Sequence, residues 1–275
     1  MTLRSPVLVA AFEGWNDAGD AATDAVEHLV DVWEGEEVGA IDPDEFYDFQ
    51  VNRPMVSLVD GVTRRIEWPT TRFFAVRLPT AERDLLLVRG IEPNMRWRGF
   101  CEEVLATAER FGVSEVVTLG ALLADSPHTR PVPVTGTSSD PALAARLGLE
   151  PSRYEGPTGI VGVLQEACVS SGLPAVSFWA AVPHYVASPP CPKATIALLR
   201  RVEDLLDLAI PLGDLPEEAR AWEEHVDELA AEDSDVAEYV ASLEEREPEE
   251  DLPEASGEAI AAEFERFLRR QDGSS

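Results

Sequence analysis

Val7-Leu8-Val9-Ala10-Ala11-Phe12-Glu13-Gly14-Trp15-Asn16-Asp17 is the stretch that decides the fold. Its first six residues are apolar without alternation, which suits a strand buried on both faces of a parallel sheet. The run then breaks into a polar turn at Glu13–Asp17. Beyond it, Ala18, Ala21, Ala22, Ala25, Val26, Leu29, Val30 and Trp33 repeat at helical spacing with acids between them. Strand, loop and helix in this order make the first half of a βαβ unit. The expectation is an α/β protein on one largely parallel sheet.

Working outward, residues 38–90 carry short alternating runs: Met55–Val59, Val62–Trp68, Phe73–Leu78 and Leu85–Val88. Asp60-Gly61 between the first two is a strong hairpin signal. An antiparallel flap or sheet edge is expected here, with a return to the main sheet at Leu85–Val88. From residue 91 the α/β rhythm resumes. Trp97, Phe100, Cys101, Val104, Leu105 and Ala108 form a helical stripe, and Val116–Leu119 reads as a buried strand. Asp140-Pro141 looks like an N-cap with proline at the first helical position, opening a short helix to about Leu147. Ile160, Val163, Leu164, Ala167 and Cys168 make another stripe, Ala175–Ala181 the next strand, and Leu198–Ala209 a closing helix.

The composition shifts after Pro211. Residues 214–275 hold 22 acids and 5 bases, over half of the formal charge of −30. Patterns at Trp222/Val226/Leu229, Val236/Tyr239/Val240/Leu243 and Ile260/Phe264/Phe267/Leu268 predict amphipathic helices, the last two separated by an acidic linker over Glu244–Ala255. The chain therefore divides into an α/β core at 1–212 and an acidic helical extension at 213–275.

A body this acidic repels phosphates and anionic lipid, which excludes non-specific binding to nucleic acid or membrane. The acidity serves solubility, or it meets a basic partner surface. Cys101, Cys168 and Cys191 are too few and scattered for a disulfide framework, and the first two sit on apolar stripes. That fits a reducing, cytoplasmic setting. The N-terminal apolar run enters an acidic loop and is not read as a signal peptide. No stretch approaches the roughly 20 apolar residues that span a bilayer.

Chemistry is expected in the loops. Four strands each lead into a polar segment: Trp15-Asn16-Asp17, Glu92–Trp97, Asp125–Arg130 and His184-Tyr185. In an open parallel sheet such loops share the edge where ligand crevices form. Asn16, Asp17, Arg96, His128, Arg130, His184 and Tyr185 would then converge, either as a site or as an interface. His128, with Asp125 and Arg130 nearby, is a candidate base or anion ligand, or a structural loop histidine. Arg96 beside Trp97, and Arg130, suit an anion or a carboxylate of the chain itself. Glu155-Gly156-Pro157-Thr158-Gly159 precedes a strong helix and offers an anion cradle or a tight turn. His28 and His225 read as solvated. The motifs of dinucleotide, phosphate-loop, hydrolase-elbow and zinc-protease sites are absent, and no Cys/His spacing suggests a metal. No cofactor is expected.

Five segments together resemble the proteasome assembly chaperone 2 family in its actinobacterial form. They are Gly14–Gly19, Glu92–Trp97, Gly120–Pro131, Tyr154–Ile160 and Val182–Val186. The resemblance runs over about residues 6–212, and the acidic helical tail also looks like that of the actinobacterial members. It implies a three-layer, nucleoside-phosphorylase-like α/β core and a homo-oligomer, with a trimer favoured. Relatives of the family bind proteasome α-subunits, in part through a C-terminal hydrophobic-Tyr-any tripeptide. The sequence ends Gln271-Asp272-Gly273-Ser274-Ser275, so docking through that tripeptide is not expected. The first functional expectation is a non-enzymatic assembly or interaction protein. The second is a small-molecule binder or enzyme, for nucleoside- or anion-like ligands, at the strand-end crevice. Trp15, Asn16, Asp17, Arg96, Trp97, Asp125, His128, Arg130, Glu155, Thr158, His184 and Tyr185 are the candidate ligand or partner residues.

Overall fold

In the computed structural model the described residues are 2–79, 81–149, 154–186 and 188–245. The chain runs through β1 (Val7–Glu13), α1 (Ala21–Val32), β2 (Glu36–Ala40), β3 (Met55–Val59), β4 (Thr63–Glu67), β5 (Arg72–Val76), β6 (Leu85–Ile91) and α2 (Trp97–Phe111). It continues through β7 (Glu115–Ala124), β8 (Val134–Ser138), α3 (Pro141–Leu147), α4 (Ile160–Ser170), β9 (Ala175–Pro183), α5 (Pro192–Leu206), α6 (Leu215–Glu232) and α7 (Ser234–Glu245).

β1 lies inside a seven-stranded sheet of order β2-β5-β6-β1-β7-β9-β8. It pairs in parallel with β6, starting at Val7↔Leu85, and with β7, starting at Val7↔Glu115. β7 pairs in parallel with β9. The four central strands therefore point one way, as the apolar runs predict. β2, β5 and β8 complete the edges through antiparallel pairings.

Both faces are covered. Val7, Val9 and Ala11 join α1 and α5 in one core, while Leu8, Ala10 and Phe12 join α2 and α4 in the other. This period of two turns one six-residue run into two cores. The result is a three-layer α/β arrangement with helices on both sides of a largely parallel sheet.

Some elements are missing from the sequence reading or run differently. β2 and β8 are edge strands without an apolar run: Glu36-Glu37-Val38-Gly39-Ala40 stays mostly exposed, and Val134–Ser138 is half-buried throughout. β7 extends five residues past Leu119 because Gly120 leaves space for the Trp179 ring of β9; a Cβ at Gly120 would lie 2.6 Å from that ring. Asp60-Gly61 does close a hairpin: both residues have positive φ, and Val62 N donates to Val59 O across the turn. β3 and β4 form a separate two-stranded sheet, whereas β5 joins the main one. Asp140 caps α3 by accepting from Ala142 N at 2.8 Å.

In the tail, α6 packs on α5 and α7 on α6. Val226 and Ala230 face inward, while Leu229, expected on the apolar stripe, is exposed. α7 reaches Glu245, so the expected linker does not begin at Glu244. The rest of that linker and the Ile260–Leu268 pattern lie outside the described residues. His28 is not simply solvated: its Nε2 donates to Pro211 O at 2.8 Å. All three cysteines are buried and free. Among the described residues no helix is long and apolar enough to cross a membrane.

Candidate functional site

The four polar loops leave the carboxyl ends of β1, β6, β7 and β9, so they share one rim of the sheet. Their side chains do not make one constellation there. They divide into separate groups, each bonded mainly within itself.

The first group surrounds the β1 loop. Asn16 is 1% exposed, and its Nδ2 donates to Glu92 Oε1 at 2.7 Å. The same Glu92 oxygen accepts from Ile160 N at 2.8 Å, at the first residue of α4. The N-terminus of α4, where the sequence offers an anion cradle, is thus filled by a carboxylate of the chain itself. Gly159 has to be glycine here, because a Cβ would sit 2.2 Å from Asn16 Oδ1. That oxygen has no hydrogen-bond partner among the described residues. Asp17 turns back over the start of α1 and accepts from Ala22 N at 2.6 Å, from Thr23 N and from the Thr23 hydroxyl. Burial dominates these bonds and pushes the Asp17 carboxyl up to about 7, with Asp20 adding like charge. Ala121 N donates to Asn16 O at 2.8 Å, so the loop runs on beside β7.

The second group gathers at β7 and β9 beneath the tail. His128 is 2% exposed. Its backbone N donates to the Tyr185 hydroxyl at 2.7 Å, and its Nδ1 lies 2.7 Å from the same hydroxyl. Its Nε2 lies 2.9 Å from Asp227 Oδ1 on α6. One hydrogen arrangement satisfies all three contacts: Tyr185 O–H donates to Nδ1, and Nε2–H donates to Asp227. Lys193, on the first turn of α5, donates to His128 O and to Glu223 Oε2 of α6, the latter at 2.7 Å. Tyr239 of α7 donates to Asp125 Oδ1 at 2.9 Å. Thr129 donates to Glu244 Oε1 at 2.6 Å, and Arg130 donates to Glu244 O. The His184 ring meets Tyr185 and Tyr239 edge-on at 5.9 and 5.1 Å. His184 Nδ1 stands 3.5 Å from Asp125 Oδ1, with no hydrogen-bond partner among the described residues.

Arg96 and Trp97 belong to neither group. Arg96 pairs with Glu45, and its guanidinium lies 5.6 Å above the Phe46 ring. Trp97 Nε1 donates to Pro93 O at 2.5 Å. Glu155 and Thr158 are exposed in the loop before α4. Trp15 is 46% exposed and Met95 42%, on the loops that follow the adjacent strands β1 and β6.

Sequence reasoning missed Glu92 as the residue joining two motifs, and it missed Lys193, Glu223, Asp227, Tyr239 and Glu244. Glu92 stands inside a motif already singled out. The tail acids carried no signal, because in a chain of 52 acids three more at helical positions look like a solvated face.

A sequence model described as the PAC2 family matches residues 11–230. A PAC2 family protein from Streptomyces avermitilis is 65% identical, covers 86% of this chain and 99% of its own, and superposes with a TM-score of 0.80. A proteasome-assembly chaperone homologue from Mycobacterium tuberculosis is 60% identical, with coverages of 85% and 99% and a TM-score of 0.79. An archaeal proteasome activator from Pyrococcus furiosus shares the fold at 19% identity, with coverages of 82% and 94% and a TM-score of 0.67. No curated protein matches significantly.

Proposed function

The chain belongs to the PAC2 family, and from that premise we propose that it is a cytoplasmic protein-binding assembly factor rather than an enzyme, with proteasome-related subunits as its partners. One observation carries the reading. The polar groups of the rim bind mainly one another and the acidic tail, which leaves Trp15 and Met95 as the exposed large apolar side chains of the β1 and β6 loops. A general base needs a free nitrogen facing a substrate. Both ring nitrogens of His128 are instead engaged, by Tyr185 and by Asp227 of the tail. An exposed tryptophan and an exposed methionine on the loops of adjacent strands suit a protein contact, where such residues serve as anchors. In this reading residues 213–245 act as a strap that fixes the β7 and β9 loops, and the β1 and β6 loops with Arg96, Glu155 and Thr158 form the partner face.

The names of two similar structures, a proteasome-assembly chaperone homologue and an archaeal proteasome activator, supply the partner class. The test mixes the full chain with the proteasome α- and β-subunits of its own cell and follows complex formation and the rate of particle assembly. The expected result is a complex that Trp15→Ala weakens by about 30-fold or more, the loss of a strong anchor. Absence of a complex together with an unchanged assembly rate would overturn the proposal. So would a Trp15→Ala variant that binds like the parent.

A further inference from the structure

The β3–β4 hairpin stands away from the sheet with every residue of both strands exposed. Cross-strand pairs share a face, and the register places Val56 opposite Ile66 and Leu58 opposite Arg64. One face of the hairpin therefore carries Val56, Leu58 and Ile66, and Val62 stands in the turn at its tip. These four are 60, 62, 56 and 84% exposed. A bare two-stranded hairpin is marginally stable in water, and a contiguous apolar face of this kind marks an interaction surface. The base is anchored by Trp68 on Phe49, with ring centroids 4.9 Å apart.

Charge selects the occupant. The segment 51–68 holds Arg53, Arg64 and Arg65 against Asp60 and Glu67, a local basic excess in a chain of net charge −30. All three arginines are exposed, and none has an ion-pair partner among the described residues. The same chain also presents a complementary surface. A groove of about 320 Å³ between α1, α5 and the start of α6 is rimmed by Asp24, Glu27, Asp31, Asp214 and Glu218. Leu212, Leu215, Pro190 and Pro192 line it as well. Glu27 reaches Arg89, while the Asp24 carboxyl is pushed up to about 6 by burial and by Asp20 and Glu27. Arg89 lowers it and Glu13 raises it further, and His28 also lines the groove, bonded to Pro211 O. Added positive charge would relieve this rim.

We propose that the apolar, arginine-bearing hairpin of one copy docks on the acid-rimmed groove of a second copy. The hairpin rises from the segment before β5, whose Phe46, Tyr47 and Phe49 pack with the α2/α4 layer. The groove lies on the α1/α5 layer, across the sheet. Contact between two different surfaces on opposite sides of a subunit repeats head to tail and closes into a ring or extends as a filament. Packing two hairpins face to face about a two-fold axis is disfavoured, because it would bring Arg64 of each copy into the middle of a shared apolar patch.

The experiment is sedimentation of the full chain and of three surface variants, with circular dichroism melts to show that each is folded. Wild type is expected to sediment as an oligomer. The hairpin variant Arg64→Glu/Arg65→Glu and the groove variant Asp31→Arg/Glu218→Arg are each expected to shift to monomer. The chain carrying all four substitutions is expected to regain the oligomer, because the hairpin glutamates then face the two new groove arginines. A monomeric wild type would overturn the proposal. So would a hairpin variant that still assembles, a groove variant that assembles while the hairpin variant does not, or a fourfold variant that stays monomeric when both double variants fold.

Discussion

Replacing Glu92 by alanine tests the central contact of the rim. Its carboxylate holds two donors together, Asn16 Nδ2 at 2.7 Å and Ile160 N at 2.8 Å, from segments 76 and 68 residues away. Hydrogen bonds to a charged group contribute about 1.5–3 kcal/mol each, and an acid at a helix N-terminus adds up to about 1 kcal/mol. Asn16 is almost fully buried, so its amide would lose a partner that water cannot easily replace. Glu92 itself is half-buried, which favours the lower end of the range. The expected loss is about 3 kcal/mol, or about 6–12 °C in Tm for a domain of this size. Glu92→Gln keeps an acceptor and loses only the charge, so about 1 kcal/mol is expected. Urea titration monitored by tryptophan fluorescence measures both. Formate added to the Glu92→Ala variant should refill the α4 N-terminus and raise its Tm, with no effect on the parent. An alanine variant within about 0.5 kcal/mol of the parent would refute the reasoning, because that is the range of an ordinary surface substitution.

Other expectations follow from single features. The Asp17 carboxyl has a folded pKa of about 7 against an ordinary 3.8, so the folded chain holds a proton that the unfolded chain releases; stability is then lost as pH rises through this window. Between pH 5 and pH 8 the loss from Asp17 is on the order of 2–3 kcal/mol. Asp17→Asn should flatten the dependence of Tm on pH, and an unchanged slope would count against the assignment. Leu243, buried on α7, should cost about 2–5 kcal/mol when truncated to alanine. If α7 is a strap that opens by itself, amide exchange in α7 should accelerate about 100-fold while β1 and β7 stay protected. Gly90→Ala would place a Cβ 2.7 Å from Thr71 Cα and 2.1 Å from its hydroxyl, an overpacking in the sheet expected to cost at least 1–3 kcal/mol by chemical denaturation.

Much of this architecture is written in the chain as a linear pattern. The unalternated run at Val7–Phe12 specifies a strand buried on both sides, and the helical spacing from Ala18 to Trp33 supplies its crossover. Asp60-Gly61 and Asp140-Pro141 specify a turn and a cap, because the left-handed backbone and the capping oxygen are properties of those residue types themselves. The motifs at Gly14, Glu92, Gly120, Tyr154 and Val182 mark the loops of the rim and the family. Tertiary structure decided the partners. In the sequence Glu92 has no assigned donor, and only the parallel register of β1 with β6 and the placement of α4 bring Asn16 and Ile160 to it. The acids of α6 and α7 are indistinguishable from solvated ones until α6 folds onto Lys193 and His128, and α7 onto Thr129 and Arg130. The strands β2 and β8 have no apolar run because edge pairing is set by a neighbour's backbone rather than by side chains of their own. Local conformation depends on each residue and its near neighbours, so sequence carries it. Which distant charge meets which donor depends on how whole layers pack, and only the folded chain settles that.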